Sequence, residues 1–117
     1  MIRSFRDLEV YKRSKDLFGK IVETTKGYPR EGRYLSDQTV RAANSIHANV
    51  AEGFGRSIAD FCNYLTRSLG SNNEVLSHLE DAQIAKYISK EKYDQLQGEY
   101  TILGKQLYRL KERWQKH

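Results

Sequence analysis

The feature that most constrains the fold of this chain is a run of large apolar residues near its C-terminus, spaced alternately three and four positions apart. The run consists of Tyr93, Leu96, Tyr100, Leu103, Leu107, Leu110 and Trp114. An a/d pattern sustained over three heptads is typical of a helix that packs at about 20° to its neighbours in a left-handed bundle. The sequence therefore predicts a long last helix, after the link at residues 87–89, and a bundle of near-parallel helices around it.

Three further helices are predicted by the 3.6-residue period in the rest of the chain, which contains one proline, Pro29. The first is expected from about Leu8 to Thr25 and the second from about Arg33 to Glu52, with helix-breaking residues at 27–32 between them. The third is expected to reach about Lys86. Short connections force neighbouring helices to run antiparallel, so we expect an all-α, up-down-up-down four-helix bundle. At 117 residues the chain is expected to form a single domain, 1–117.

The connection between the second and third helices carries two local signals. Gly53 is expected to end the second helix as its C′ residue, the position that glycine favours. Ser57 precedes Asp60 by three residues, which is the spacing of a capping box at the start of the third helix.

Polar residues interrupt the apolar faces of the two central helices. A stripe at helical spacing runs along the second helix, through Gln38, Arg41, Ser45, Asn49 and Glu52. Ser68 and Asn72 break the apolar face of the third. Either these groups face one another inside the bundle, where a polar network would fix register, or they form a solvent-exposed edge.

The apolar arc of the first helix is broader than one core contact requires, and it predicts a second surface between subunits. Its members are Val10, Tyr11, Leu17, Phe18, Ile21 and Val22.

Signatures of catalysis and metal binding are missing from the sequence. The histidines stand on different predicted helices, without the spacing of a metal pair, at His47, His78 and His117. His47 borders the apolar face of the second helix, where a hydrogen-bonded interface histidine is expected. The carboxylates that could in principle act as acid or base are expected to be solvated; they include Glu52, Glu74 and Asp81. Cys62 is expected to be a small buried hydrophobe. We therefore expect no catalytic residues, no metal and no cofactor.

Neither a secretory signal nor a membrane span is apparent, because the first residues lack an apolar core and no stretch approaches about 18 apolar residues. A cytoplasmic protein without membrane association is expected.

The positive charge is predicted to gather at one end of the bundle. An up-down-up-down chain brings both termini and the second-to-third turn to one pole, where ten basic and five acidic side chains give an excess equal to the net charge of +5. The residues expected to bind nucleic acid there are Arg3, Arg6, Arg56, Lys105, Arg109, Arg113 and Lys116. The alternative is a solvated face with the usual excess of cations at a helix C-terminus.

Three blocks of this sequence resemble the 23S rRNA-intervening sequence proteins, also called the four-helix bundle protein family. They are FRDLEVYKRS at residues 5–14, VRAANSIHANVAEGFGR at 40–56 and LGSNNEVLSHLEDA at 69–82, of which AEGFGR at 51–56 is the most specific. The resemblance implies a bacterial four-helix bundle without catalytic residues, assembled as a ring-like homopentamer, whose relatives are often encoded within insertions in 23S rRNA genes. By similarity to relatives in diversity-generating retroelements, it also implies a basic surface that engages nucleic acid and a reverse transcriptase. Family members often carry a proline where this chain has His47, which bears on any kink in the second helix.

Two functions from different classes follow. The first is a non-enzymatic, oligomeric bundle that binds RNA or another nucleic acid through its basic pole. The second is a structural or adaptor protein that recruits a protein partner, such as a reverse transcriptase, through its apolar surface.

Overall fold

The computed structural model describes residues 1–116, and its regular elements are all helical. Two short 3-10 helices, Phe5–Asp7 and Arg30–Gly32, precede the first two long helices. The long helices are α1 (Glu9–Thr25), α2 (Arg33–Gly53), α3 (Ile58–Ile84) and α4 (Lys90–Gln115). The prediction of an all-α four-helix bundle is confirmed, and the predicted helix boundaries agree with these to within two residues.

Each long helix packs against two others, so that α1 contacts α2 and α4, and α3 contacts the same two helices. The start of α3 meets the end of α4, where the ring centroids of Phe61 and Trp114 lie 4.9 Å apart. The C-terminal half of α1 contacts the N-terminal half of α4, where Lys20 Nζ lies 3.0 Å from a carboxylate oxygen of Glu99. These contacts are those of antiparallel neighbours in a bundle that measures 46 × 21 × 20 Å.

The heptad seam of α4 forms one side of the core, as its spacing predicts. Its five central residues are buried, and Tyr93 and Trp114 at its ends pack against the core while partly exposed. Burying each leucine stabilises the fold by about 1.5–3 kcal/mol relative to leaving it in water. The largest buried partners from the other helices are Leu17, Ile21, Ile46, Val50, Phe61, Leu65, Val75 and Leu79.

The polar break in α3 lies inside the bundle. Ser68 and Asn72 are almost fully buried. Ser68 Oγ donates to the carbonyl of Ile46 on α2 at 2.8 Å, and Asn72 Nδ2 donates to the carbonyl of Tyr100 on α4 at 2.9 Å. Because each hydrogen bond joins a side chain to the backbone of a neighbouring helix, the two residues fix the height of α3 against both neighbours.

The polar stripe of α2 lies instead along the border of the bundle, where Arg41 and Glu52 are exposed and Ser45 and Asn49 are half-buried. Asn49 Nδ2 donates to the Ser45 carbonyl within the helix at 2.8 Å. One hydrogen bond joins the stripe to α3, from Ser71 Oγ to Ser45 Oγ at 2.9 Å. Within residues 1–116, Ser68 and Asn72 are therefore buried but bond to backbone carbonyls rather than to the stripe, and the stripe lies along a partly exposed border.

Gly53 does not take the left-handed C′ position that the sequence predicts. It is the last residue of α2, and the positive φ, 87°, belongs to Gly55. Glycine is required at 53 for a different reason, since a Cβ there would lie 2.5 Å from the Cβ of Tyr64 on α3. Ser57 caps α3, its hydroxyl accepting from the Asp60 N–H at 3.1 Å, which is one of the two hydrogen bonds of the predicted capping box.

His47 is the hydrogen-bonded interface histidine that its position predicts. Its side chain is buried between α2 and α1, with Nδ1 3.2 Å from Ser14 Oγ. The rings of Tyr11 and Phe18 meet the imidazole edge to face at centroid distances of 6.0 and 5.4 Å. Tyr11 and Phe18 of the apolar arc on α1 therefore pack against another helix of the same chain.

Burial, together with a smaller effect of the nearby charge of Lys15, lowers the pKa of His47 from 6.5 to about 4. The unfolded chain keeps the higher pKa and takes up a proton first as the pH falls. The stability that depends on neutral His47 is therefore complete above about pH 6.5 and is lost as the pH falls toward 4.

We predict that this histidine makes the fold acid-sensitive. Between pH 7 and pH 4.5 the free energy of unfolding should fall by about 2 kcal/mol more in the natural chain than in His47→Gln, which keeps a hydrogen-bonding side chain but does not titrate. Urea unfolding at the two pH values measures both losses. Equal losses in the two proteins would show that His47 has the same pKa in the folded and unfolded states.

Candidate nucleic-acid interface

Three segments distant in sequence meet at one end of the bundle. The bend between α2 and α3 reaches the end of α4, where the ring centroids of Phe54 and Trp114 lie 6.2 Å apart. The first ten residues lie against α4 across a groove of about 360 Å³ that includes Ile2, Arg109 and Arg113. We call this end the basic pole and define it by Arg3, Arg6, Arg56, Lys105, Arg109, Arg113 and Lys116.

The cations of α4 share one face. Lys105, Arg109 and Arg113 follow one another at intervals of four residues, Lys116 follows three residues later, and all four side chains are exposed. Arg109 and Arg113 line the groove beside the N-terminal segment. Lys105 and Arg109 also line a second groove, between α3 and α4. Arg109 thus stands between two concave surfaces.

The N-terminal segment is held in place by a local carboxylate. Asp7 accepts from the backbone N–H of Arg3 at 2.8 Å and of Ser4 at 3.1 Å, and these hydrogen bonds lower the pKa of Asp7. The guanidinium of Arg6 lies 4.4 Å from the centroid of the Phe5 ring. Asp7 therefore binds backbone N–H groups rather than the side chains of Arg3 and Arg6, which remain exposed.

Arg56 is fixed by the end of α2 and by an aromatic ring. Its Nε donates to the Glu52 carbonyl at 2.9 Å, and its guanidinium lies 3.9 Å from the Glu52 carboxylate and 5.1 Å from the Tyr64 ring centroid. Arg67 lies 4.7 Å from the same ring. Sequence reasoning missed Arg67, although its position three residues after Tyr64 on a predicted helix is the spacing at which such pairs form.

The charge of the basic pole is largely uncompensated. Of its seven cations only Arg56 forms an ion pair within residues 1–116. Glu9, which lines the N-terminal groove, lies 3.8 Å from Lys12, which is not among the seven. Uncompensated cations on one surface raise the local potential and attract polyanions.

Other candidate groups from the sequence lie apart from one another. Glu74 lies 3.3 Å from His78 on the surface of α3, and Asp81 is exposed. His117 lies outside the described residues. Cys62 is buried, as expected. Within residues 1–116 no three His, Cys, Asp or Glu side chains are grouped as a metal would require.

The described helices include none with the length and apolar character needed to cross a membrane.

Together these features define a class, the antiparallel four-helix bundle proteins with a cationic end. A family model described as 23S rRNA-intervening sequence protein matches residues 6–109. The chain therefore belongs to the 23S rRNA-intervening sequence protein family, which confirms the resemblance carried by its three sequence blocks.

A solved structure has the same fold. The crystal structure of a protein with unknown function from the S23 ribosomal protein family of Bacteroides thetaiotaomicron VPI-5482 is 30% identical to this chain, with a TM-score of 0.81. The similarity covers 88% of this chain and 95% of that one. None of the curated proteins compared with this chain matches it.

Proposed function

We propose that this protein is a non-enzymatic, oligomeric four-helix bundle that binds RNA or another nucleic acid through its basic pole. The observation that carries the proposal is the lack of ion pairs within residues 1–116 at six of the seven cations of the pole. Membership in the 23S rRNA-intervening sequence protein family is consistent with an RNA partner, and the proposed setting is bacterial and cytoplasmic.

The physical basis is the release of counterions from the phosphate backbone. Each cation that approaches a phosphate displaces condensed salt ions, so binding is strong at low salt and weakens steeply as salt is added. A cation already paired with a carboxylate gains less, because the pair must first be broken. The exposed face of α4 therefore supplies most of the binding, with the N-terminal segment and the α2–α3 bend beside it.

We predict that replacing Arg109, Arg113 and Lys116 together by glutamate abolishes RNA binding, since the change puts three negative charges where the phosphates would lie. Fluorescence anisotropy of a labelled RNA at low salt measures the loss. The matched control replaces Arg30, Arg33 and Arg41 by glutamate and so changes the net charge equally. These three arginines are also exposed and form no ion pair within residues 1–116.

In the control, affinity should fall far less, because Arg30 and Arg33 lie beside the α1–α2 turn at the opposite end of the bundle. An unchanged isotherm for the first variant would contradict the proposal. Equal losses in both variants would attribute RNA binding to net charge rather than to the pole.

The second candidate is an adaptor that recruits a protein partner, such as a reverse transcriptase, through an apolar surface of the oligomer. It is favoured by α1, on which Tyr11, Phe18 and Val22 remain partly exposed after their contacts within the chain. Partly exposed apolar side chains on one helix are common at contacts between subunits.

We predict that the protein forms a homo-oligomer, with a pentamer as the expected state. Multi-angle light scattering at micromolar concentration should then give a mass of about 69 kDa, five times the 13.7 kDa chain. A mass near 13.7 kDa would contradict oligomer formation and leave the apolar arc of α1 explained by its contacts within the chain alone. An oligomer that binds no RNA at any salt concentration would favour the adaptor.

A further inference from the structure

A groove between α3 and α4 adjoins the basic pole. It encloses about 530 Å³, within the range of roughly 300–1,000 Å³ that small-molecule sites occupy. Leu69 and Leu76 of α3 contribute apolar surface to it, and α4 contributes Lys105, Tyr108 and Arg109. Apolar walls beside cations suit a ligand that is both flat and anionic.

Tyr108 is the aromatic residue of this groove, and the core does not use it. Its side chain is 55% exposed, since position 108 lies outside the heptad seam of α4. An exposed ring in a cationic groove is the arrangement on which unpaired bases stack in single-stranded RNA-binding proteins.

The charges of the groove suggest where a phosphate would lie. Lys105 and Arg109 are exposed and form no ion pair within residues 1–116. Glu112 also lines the groove, one turn after Tyr108, and would repel an anion there. A phosphate is therefore best held toward Lys105, at the end of the groove away from Glu112.

The groove also contains a buried amide with an unused acceptor. The hydrogen bond from Asn72 Nδ2 to the Tyr100 carbonyl fixes the orientation of the amide, and Oδ1 has no partner within residues 1–116. Position 104 is a glycine, and a Cβ there would lie 3.0 Å from Asn72 Nδ2. Because position 104 has no side chain, α4 packs directly against this buried amide, and a methyl group at 104 would press on it.

We propose that the α3–α4 groove binds one nucleotide, with its base stacked on Tyr108 and its phosphate held by Lys105 and Arg109. The nucleotide is either an unpaired residue of an RNA chain or a free mononucleotide. The RNA source rests on the proposed function, whereas the free nucleotide does not. A stacking site also gives the protein a preference for unpaired RNA, which charge alone would not provide.

The first test compares single-stranded and duplex RNA. The probes are a labelled 12-nucleotide adenine RNA and the duplex that it forms with a uracil strand, measured by fluorescence anisotropy. Tyr108→Ala should weaken binding of the single strand at least about fivefold and leave the duplex unchanged, because only unpaired bases can stack. Tyr34→Ala is the matched control, since Tyr34 is 77% exposed and lies at the start of α2, at the other end of the bundle.

The second test alters the wall of the groove without changing its charge. Gly104→Ala adds a methyl group against Asn72, whereas Gly98→Ala on the same helix adds one where no other group lies within 4 Å. Both changes raise helix propensity equally. Only Gly104→Ala should weaken binding of the single strand.

A titration with adenosine monophosphate separates the two sources of the nucleotide. Amide chemical-shift changes at Gly104 and Tyr108 would identify a site for the free nucleotide, and they would support the inference even if the protein bound no RNA and the proposed function failed. Binding of RNA that is unaffected by Tyr108→Ala and Gly104→Ala, without such shifts, would overturn the inference while the proposed function stood. A protein that bound neither RNA nor the mononucleotide would overturn both.

Discussion

Burial of the apolar seam of α4 is the constraint on which the rest of this structure depends. The seam extends from the partly exposed Tyr93 to Trp114, and the residues between them that belong to it are buried. A seam of this length needs helices beside α4, and α3 covers most of it while α1 makes a smaller contact. Short links then place α2 against α1 and α3, on the side of the bundle opposite α4. The gathering of both ends of the chain beside the α2–α3 bend is a consequence of this packing.

Regular patterns allowed most of the fold to be predicted from the sequence. The α4 seam and the Ser57 cap of α3 depend on local spacing, so they could be recognised without knowing the fold. Gly53 could not be interpreted correctly in this way. Its requirement for glycine comes from Tyr64, eleven residues later on another helix, and that close approach exists only after α2 and α3 have packed.

In the candidate interface too, features set by local spacing could be predicted, whereas contacts between helices could not. Its α4 cations could be assigned to one face from their spacing alone. The sequence could not show that Arg56 and Arg67 approach the same Tyr64 ring, because one of these contacts crosses the bend. Nor could it show that Gly104 lets α4 pack directly against the buried Asn72 amide. Contacts between helices depend on axial register, which the hydrogen bonds of Ser68 and Asn72 help to fix.

The central claim is that the uncompensated cations of the basic pole bind phosphates, and the salt dependence of RNA affinity tests it most directly. The association constant for a single-stranded RNA should be measured by fluorescence anisotropy from about 50 to 300 mM salt. If the six cations that form no ion pair within residues 1–116 are engaged, the slope of log K against log salt concentration should be about −4. Measurable affinity with a slope near zero would contradict the account, because the RNA would then be held by contacts other than those of the pole with phosphate.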